Sequence, residues 1–143
     1  MFNLDPRLAR DCHFITQWPL SQVLLMDDRR YPWLILVPAI ANLSEPFDLD
    51  ADDQPRLWRE VSTLGSFMKN HFQADKINVG ALGNVVSQLH VHVIARHHND
   101  ASFPNPVWGV GTPQPYPPHE REALVNSLGD GLSRIAPVSP TPS

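Results

Sequence analysis

Two histidines and a glutamine alternate with apolar residues in the segment QLHVHVI, residues 88–94. Successive side chains of an extended strand point to opposite faces, so this spacing predicts a strand over 87–95 with Gln88, His90 and His92 on one face. A neutral imidazole can act as a nucleophile, an acid–base group or a metal ligand near neutral pH. Residues 88–94 are therefore the segment of the chain whose residue types and spacing are most typical of a catalytic or ligand-binding site.

The residues alone leave three interpretations of this segment open. It is a solvent-facing strand surface with incidental histidines, a metal site, or a strand for catalysis or anion binding. A metal site needs a third ligand in addition to the His-x-His pair. Further histidines are available for that role but form no second cluster with ligand-like spacing: His13, His71, His97, His98 and His119.

Short apolar runs separated by polar turns predict the strands that must hold this segment in place. They lie at 21–26 (SQVLLM), 33–37 (WLILV) and 76–82 (KINVGAL), with a weaker candidate at 14–17. Apolar residues at helical spacing predict a long helix over 50–72, and a second helix is expected over 119–135. One long helix between antiparallel strand groups gives an α+β domain.

The composition limits the classes of function that the chain can have. A length of 143 residues suits one domain, and the net charge of −4 argues against a nucleic-acid binder, which would carry a basic face. The single cysteine, Cys12, excludes an intramolecular disulfide, and charge and proline interrupt the N-terminus where a signal peptide would be apolar. No apolar run approaches the about 20 residues of a membrane span. We therefore expect a soluble cytoplasmic protein.

We expect residues 1–100 to form the main part of the domain, residues 101–136 to add an arm and a helix, and residues 137–143 to form a flexible tail. The arm, from Phe103 to Pro118, is rich in proline, glycine and aromatic residues. Aromatic residues in such a segment anchor it to the body or to a partner. The arm either closes over a ligand or crosses to a second subunit, or it is a surface loop pinned by Trp108.

Residues 88–94 resemble the histidine triad motif, His-φ-His-φ-His-φ-φ, in which φ is an apolar residue. His90 and His92 match the second and third histidines, all four apolar positions match, and Gln88 replaces the first histidine. The order of features from Ser21 to Arg96 is similar as well. In chain order these features are a strand, Asp27, a strand ending at Pro38, a long helix, a strand with Asn78, and the turn Gly83-Asn84.

The resemblance to the histidine triad (HIT) superfamily implies a fold and an activity. The fold is an antiparallel sheet of about five strands with one long helix, here followed by a C-terminal helix, and it is usually paired into a homodimer. Members hydrolyse or transfer nucleotides at the α-phosphate, for example in phosphoramidates and dinucleoside polyphosphates. The implied partner is a nucleotide, and no metal or other cofactor is expected.

The same resemblance implies roles for individual residues. His90 stands where the family has the nucleophile that forms a nucleotidyl-histidine intermediate, and His92 stands where a histidine orients that nucleophile and holds the phosphate. Asp27 is expected to bind the ribose hydroxyls, although a charged turn explains it equally well. Three further residues are expected near the phosphate, although the asparagines equally suit hydrogen bonds to turn backbone: Asn78, Gly83 and Asn84.

Two positions depart from the family pattern. Gln88 replaces the first histidine, and Trp33 stands where members often carry another histidine. Glutamine donates and accepts hydrogen bonds but cannot be protonated at neutral pH, so the acid for the leaving group is in question. The leading prediction is a nucleotidyl hydrolase or transferase that uses His90, His92 and Gln88. The alternatives are a nucleotide-binding module with little turnover and a metal-binding protein that uses the His-x-His pair.

Overall fold

The computed structural model describes residues 1–137, so the expected tail lies outside the described residues except for Pro137. The secondary structure comprises three α-helices, one short 3-10 helix and five strands. In chain order they are α1 (Pro6–Asp11), β1 (Cys12–Gln17), β2 (Ser21–Met26), β3 (Trp33–Pro38), the 3-10 helix (Pro46–Asp48), α2 (Asp53–His71), β4 (Lys76–Gly80), β5 (Val91–Arg96) and α3 (Pro118–Arg134).

The five strands form one antiparallel sheet in the order β1-β2-β3-β5-β4. The predicted α+β fold with a long helix and a C-terminal helix is confirmed. Strand β5 lies between β3 and β4, with His92 opposite Ile35 on one side and Gly80 on the other. The motif strand is therefore internal to the sheet, where its side-chain directions are held from both sides.

Helices α2 and α3 cover one face of the sheet. The apolar stripe predicted for the long helix is buried there, and each fully buried leucine contributes roughly 2 kcal/mol of transfer free energy. Val91 and Val93 point into the same cluster, as the alternation of the motif predicts. The helical residues of this cluster are Leu57, Val61, Leu64, Met68, Leu128 and Leu132.

The opposite face, which carries His92, is covered by the N-terminal segment and the arm. Leu8 of α1 and Val107 of the arm pack on Trp33, Ile35 and Ile94 in a second buried cluster. Helix α1 was missed at the sequence level because six residues are too few for a periodic apolar pattern. Its start nevertheless has the expected chemistry, since Asp5 caps it through a hydrogen bond from the backbone N–H of Arg7.

The motif strand begins later than the sequence predicts. The strand was predicted over 87–95, but β5 starts at Val91, so Gln88 and His90 precede it and do not alternate with His92 along a ladder. Before β5 the chain follows a different partner, because the backbone N–H of Leu89 donates to the carbonyl of Leu43. Within residues 1–137, no helix is long and apolar enough to cross a membrane.

Candidate active site

His92 is a buried imidazole whose proton position is fixed by a neighbouring strand. The indole Nε1–H of Trp33 donates to Nδ1 of His92 at 3.0 Å. Indole nitrogen only donates, so Nδ1 of His92 accepts and the proton of the neutral ring is on Nε2. Burial, followed by the charge of nearby His90, lowers the pKa of His92 to about 3. His92 is therefore a neutral hydrogen-bond donor throughout the physiological pH range.

His90 has the opposite tautomer. Its Nδ1 lies 2.7 Å from the backbone carbonyl oxygen of Gln88. A carbonyl oxygen only accepts, so Nδ1 carries the proton and Nε2 keeps its lone pair. The two imidazole rings are 4.8 Å apart between centroids, with an interplanar angle of 64°. The neighbouring rings therefore present a lone pair on Nε2 of His90 and a donor N–H on Nε2 of His92.

The side chain of Gln88 holds the N-terminal segment. Its Oε1 accepts from the backbone N–H of Asp5 at 2.8 Å, and its Nε2 donates to the carbonyl of Asn3 at 2.9 Å. Arg7 adds a third tie, because its Nη1 donates to the carbonyl of Val85 at 3.0 Å. Gln88 thus contacts His90 through its backbone carbonyl, while its amide group is used elsewhere. The sequence analysis placed that amide on the same face as the histidines, and in the structure it is hydrogen-bonded to the N-terminal segment, which covers that face.

Trp108 of the arm packs against His92 of its own chain. The ring centroids of Trp108 and His92 are 5.4 Å apart, and Trp33 lies 6.4 Å from Trp108. Gly80 on β4 leaves the space for this ring, since a Cβ there would lie 2.9 Å from Cη2 of Trp108. The arm is therefore pinned by Trp108, one of the alternatives left open by the sequence, and the pinning point is the site itself.

The turn between β2 and β3 binds the arm. Asp27 accepts a hydrogen bond from the backbone N–H of Tyr116 at 2.9 Å, and its other oxygen lies 3.3 Å from Nε2 of His13. The backbone N–H of Arg29 donates to the carbonyl of Gln114 at 2.7 Å. These contacts explain why the turn is charged, and they give Asp27 a structural partner that the sequence analysis did not foresee.

A buried ion pair stiffens the same turn. Arg30 contacts Asp28 at 2.7 Å and donates to the carbonyl of Val110 at 2.7 Å. Burial alone would raise the pKa of Asp28, but hydrogen bonds from Arg30 and Gln114 lower it below the ordinary value. The Asp28 carboxylate is thus ionised, and it binds Arg30 and the backbone N–H of Gln114 in the arm.

A cleft of about 630 Å³ lies between this turn and the arm. This volume is in the range of pockets that take small molecules. Trp33 and Trp108, which contact His92, also line the cleft, whereas neither His90 nor His92 is among its lining residues. Other lining residues include Arg10, Asp27, Arg30 and Gly111.

The remaining expected phosphate residues lie on β4 and in the loop after it. Oδ1 of Asn78 accepts from Nη1 of Arg96 at 2.9 Å, and Arg96 is fully buried with Asp100 as its ion partner. Gly83 has a φ of 68°, which glycine adopts without strain, and Asn84 is exposed in the same loop. Asn78 is therefore engaged in a structural network, whereas Gly83 and Asn84 remain accessible.

A third metal ligand is not brought to the pair. Within residues 1–137, no three His, Cys, Asp or Glu side chains form a group that could hold a metal ion. The site residue that the sequence analysis missed is Trp33, which it named only as a departure from the family pattern, without a contact to His92. Its position in the family pattern, where members often carry another histidine, was the available signal.

Comparison with known proteins identifies one matching family and several similar structures. Residues 7–99 match the family model of the HIT domain. A histidine triad protein from Sinorhizobium meliloti 1021 is 48% identical, with a TM-score of 0.85 over 87% of this chain and 93% of that chain. One from Marinobacter aquaeolei VT8 is 42% identical, with a TM-score of 0.92 over 95% and 99% of the two chains.

A more distant structure shares the fold. The diadenosine triphosphate hydrolase of Plasmodium falciparum is 17% identical, with a TM-score of 0.64 over 94% of this chain and 84% of that chain. Among curated proteins, no relative matches this chain.

Proposed function

This chain belongs to the histidine triad (HIT) domain family, and we propose that it hydrolyses or transfers nucleotides at the α-phosphate through a covalent intermediate on His90. The observation that carries the proposal is the 2.7 Å contact between Nδ1 of His90 and the carbonyl of Gln88. It fixes the tautomer of the neutral ring in which Nε2 carries the lone pair, as a nucleophilic imidazole requires.

The first step forms a bond between Nε2 of His90 and the α-phosphorus. The bond from phosphorus to the leaving group breaks, and the leaving group takes its electron pair. The His90 ring then carries positive charge, which the carbonyl oxygen of Gln88 stabilises through the Nδ1–H bond. In the second step water attacks the phosphorus, its proton passes to solvent, and the electron pair of the phosphorus–nitrogen bond returns to Nε2.

His92 supports both steps as a donor to a phosphoryl oxygen. Its Nε2–H is available because Trp33 occupies Nδ1. Charge on the phosphoryl oxygens changes during transfer, and a donor fixed in advance stabilises that charge without reorganisation. Gly83 and Asn84 supply further donors from the loop that precedes the motif strand.

The cleft between the turn and the arm receives the nucleoside. Trp33 and Trp108 line the cleft and also contact His92, which supports a binding mode in which the nucleoside occupies the cleft and the α-phosphate extends past these rings to the histidines. Asp27 lines this cleft and binds the ribose hydroxyls in the proposal. One of its oxygens also accepts from the Tyr116 backbone, so ribose binding and arm docking meet at this residue. Asn78 contributes indirectly, because its side-chain oxygen is bound to Arg96.

A nucleotide-binding module with little turnover is the second candidate. The observation that favours it is the side chain of Gln88, which is turned to the N-terminal segment and gives the histidine pair no third polar group. The name of the Plasmodium relative, a diadenosine triphosphate hydrolase, supports turnover in the family. Both candidates place a nucleotide in the same cleft, and they differ in whether His90 attacks.

A homodimer through β4 completes the proposal. Within the described residues β4 is an edge strand, and apolar side chains on it and in the following loop are exposed: Val79, Leu82 and Val85. Exposed edges of this kind suit pairing with a second copy. Light scattering of wild type and Val79→Lys tests the dimer, since a buried lysine at the interface yields monomers. The cytoplasmic location expected from the sequence stays a prediction.

Intact-mass spectrometry at mildly alkaline pH tests the covalent step, since phosphorus–nitrogen bonds hydrolyse in acid. Wild type is mixed briefly with an adenosine phosphoramidate or a dinucleoside polyphosphate. We expect a nucleotidyl adduct on wild type and on His98→Ala, whose histidine is exposed outside the site, and none on His90→Ala. Product formed at equal rates by wild type and His90→Ala contradicts the enzyme proposal. Bound nucleotide without adduct or product selects the binding module.

A further inference from the structure

Nucleotide substrates differ in whether the leaving group must be protonated as its bond to phosphorus breaks. The amine of a phosphoramidate must receive a proton as the phosphorus–nitrogen bond breaks, because a deprotonated amine is far too basic to leave. The phosphate of a phosphoanhydride departs as an oxyanion that is stable near neutral pH. A site without a proton donor for the leaving group therefore processes anhydrides much better than amides.

His92 offers a hydrogen bond but no transferable proton. Its only proton is on Nε2, because Nδ1 accepts from Trp33 at 3.0 Å. Loss of that proton would make an imidazolate anion at a residue that is only 6% exposed. Trp33 acts through His92 as a positioning residue, since it holds the ring in this tautomer and blocks the second nitrogen.

Gln88 cannot supply the proton that the leaving group needs. A carboxamide does not protonate near neutral pH, and both atoms of this one are bound to the backbone of the N-terminal segment. Its carbonyl faces His90 as an acceptor. The position at which the family motif has its first histidine therefore supplies no acid.

The N-terminal segment brings two ionisable groups close to residues 85–90, and neither is an acid near neutral pH. Hydrogen bonds from Arg7 lower the pKa of Asp5, whose carboxylate is therefore ionised. Asp5 in turn raises the pKa of Arg7, which keeps its proton. From β3 and the arm, the groups that face His92 are the indoles of Trp33 and Trp108, which do not titrate.

On the basis of the nucleotidyl transfer proposed above, we infer that this site selects nucleotides whose leaving group departs without a proton, namely phosphoanhydrides such as dinucleoside polyphosphates, over phosphoramidates. The atoms balance without an acid. The Nε2 lone pair of His90 bonds to phosphorus, the bridging oxygen leaves with the bonding pair, and the anion is released as formed. With an amine leaving group the same step lacks a proton, which no described neighbour of the pair provides.

Competing substrates with one nucleoside test the selection. Wild type is assayed with diadenosine triphosphate and with adenosine 5′-phosphoramidate, and kcat/KM is compared. A missing general acid costs about 100-fold or more, so we expect the anhydride to be preferred by at least that factor. Equal values, or a preference for the phosphoramidate, overturn the inference and leave the covalent mechanism standing. No turnover of either substrate overturns both.

A series of aryl esters of adenosine monophosphate tests the reason for the selection. Without an acid, the rate falls steeply as the leaving phenol becomes more basic, from 4-nitrophenol to phenol. His92→Gln keeps an amide donor and removes the imidazole, so we expect slower reaction by the same factor for every ester and an unchanged slope. If His92 is an acid, the variant loses most with phenol and its slope steepens, and the inference is wrong.

Nuclear magnetic resonance tests the tautomer without any turnover. An N–H···N hydrogen bond transmits a nitrogen–nitrogen coupling, so we expect a cross-peak between Nε1 of Trp33 and Nδ1 of His92. We expect Trp33→Phe to lose it and Trp108→Phe to keep it, because the indole nitrogen of Trp108 is buried without a hydrogen-bond partner within the described residues. An Nδ1-protonated His92 in wild type would remove the basis of the inference.

Discussion

The indole N–H of Trp33 donates a hydrogen bond to Nδ1 of His92 across two neighbouring strands. In the β3–β5 register Trp33 pairs with Ile94 and His92 pairs with Ile35, so the two are diagonal neighbours on one face of the sheet. Long side chains reach each other at this separation. Strand register thus sets the tautomer of His92, and a donor that cannot titrate stands where family members often carry an imidazole.

Replacing Trp33 with phenylalanine isolates this hydrogen bond. The change leaves Nδ1 of His92 buried without its donor, which costs about 1–3 kcal/mol of the free energy of unfolding. We also expect kcat/KM for an anhydride substrate to fall about tenfold, because the ring loses its fixed direction. Urea unfolding and steady-state kinetics measure the two effects. Trp108→Phe is the matched control for the free energy of unfolding, because its indole nitrogen has no hydrogen-bond partner in the described residues, and an equal loss of stability in both variants would assign the effect to packing.

The low pKa of His92 makes stability depend on pH. Between the ordinary value of 6.5 and about 3, the unfolded chain binds a proton at His92 that the folded chain does not bind. Folding stability therefore rises with pH in this window and is lost as pH falls through it. From pH 6.5 to pH 5, above the ordinary carboxyl range, the loss from this residue is about 1.5 kcal/mol.

His92→Gln is the reference for this measurement, because glutamine at position 92 does not titrate between pH 5 and pH 6.5. Urea unfolding at both pH values should show wild type losing more stability than the variant by about that amount. Parallel losses would mean that His92 takes up a proton in the folded protein.

Much of the fold follows from local pattern. The apolar runs at β2 and β3 are continuous because these strands are buried on both faces, whereas the helical stripe from Leu57 to Met68 buries one face, and both patterns are visible in the chain. His90 and His92 were identified in the same way. The beginning of β5 was not, because alternation continues through Gln88 although the backbone there has left the ladder to bond elsewhere.

The partners of the site residues could not be predicted from the sequence. The Trp33–His92 bond depends on the register of strands far apart in the chain. The two hydrogen bonds of the Gln88 side chain are made to the backbone of a segment 83 or more residues away in the chain. Asp27 shows the same limit, since the Tyr116 backbone that binds it lies in an arm without periodic structure. Local sequence carries residue chemistry and alternation, but such long-range contacts are set by the assembled sheet.

The two hydrogen bonds between the Gln88 side chain and the N-terminal segment predict that this segment is protected from hydrogen exchange. Gln88→Ala removes two hydrogen bonds to the N-terminal segment, so we expect faster exchange at the Asp5 amide and a stability loss of about 1–2 kcal/mol. Gln88→Glu keeps the acceptor for Asp5 and should retain part of the protection. The Tyr116 amide, held by Asp27, is the internal control. Unchanged exchange at Asp5 in Gln88→Ala would show that the side chain does not hold the segment.

Two glycine substitutions are expected to change the stability of the protein in opposite directions, because only one of these glycines packs against Trp108. A Cβ on Gly80 would lie 2.9 Å from Cη2 of Trp108, so Gly80→Ala displaces the indole and destabilises the protein by about 1–3 kcal/mol. A Cβ on Gly65, inside α2, would lie 3.6 Å from Cγ2 of Ile77, an ordinary contact. Gly65→Ala should therefore stabilise the helix by up to about 1 kcal/mol.

Thermal unfolding distinguishes the two variants, and the indole signal of Trp108 in nuclear magnetic resonance spectra reports the displacement directly. We expect this signal to move in Gly80→Ala and to stay in Gly65→Ala. Because Trp108 lines the cleft and contacts His92, Gly80→Ala should also weaken nucleotide binding there. Equal stability of the variants with an unmoved Trp108 signal would mean that the arm is held at the turn alone, through Asp27 and Arg30.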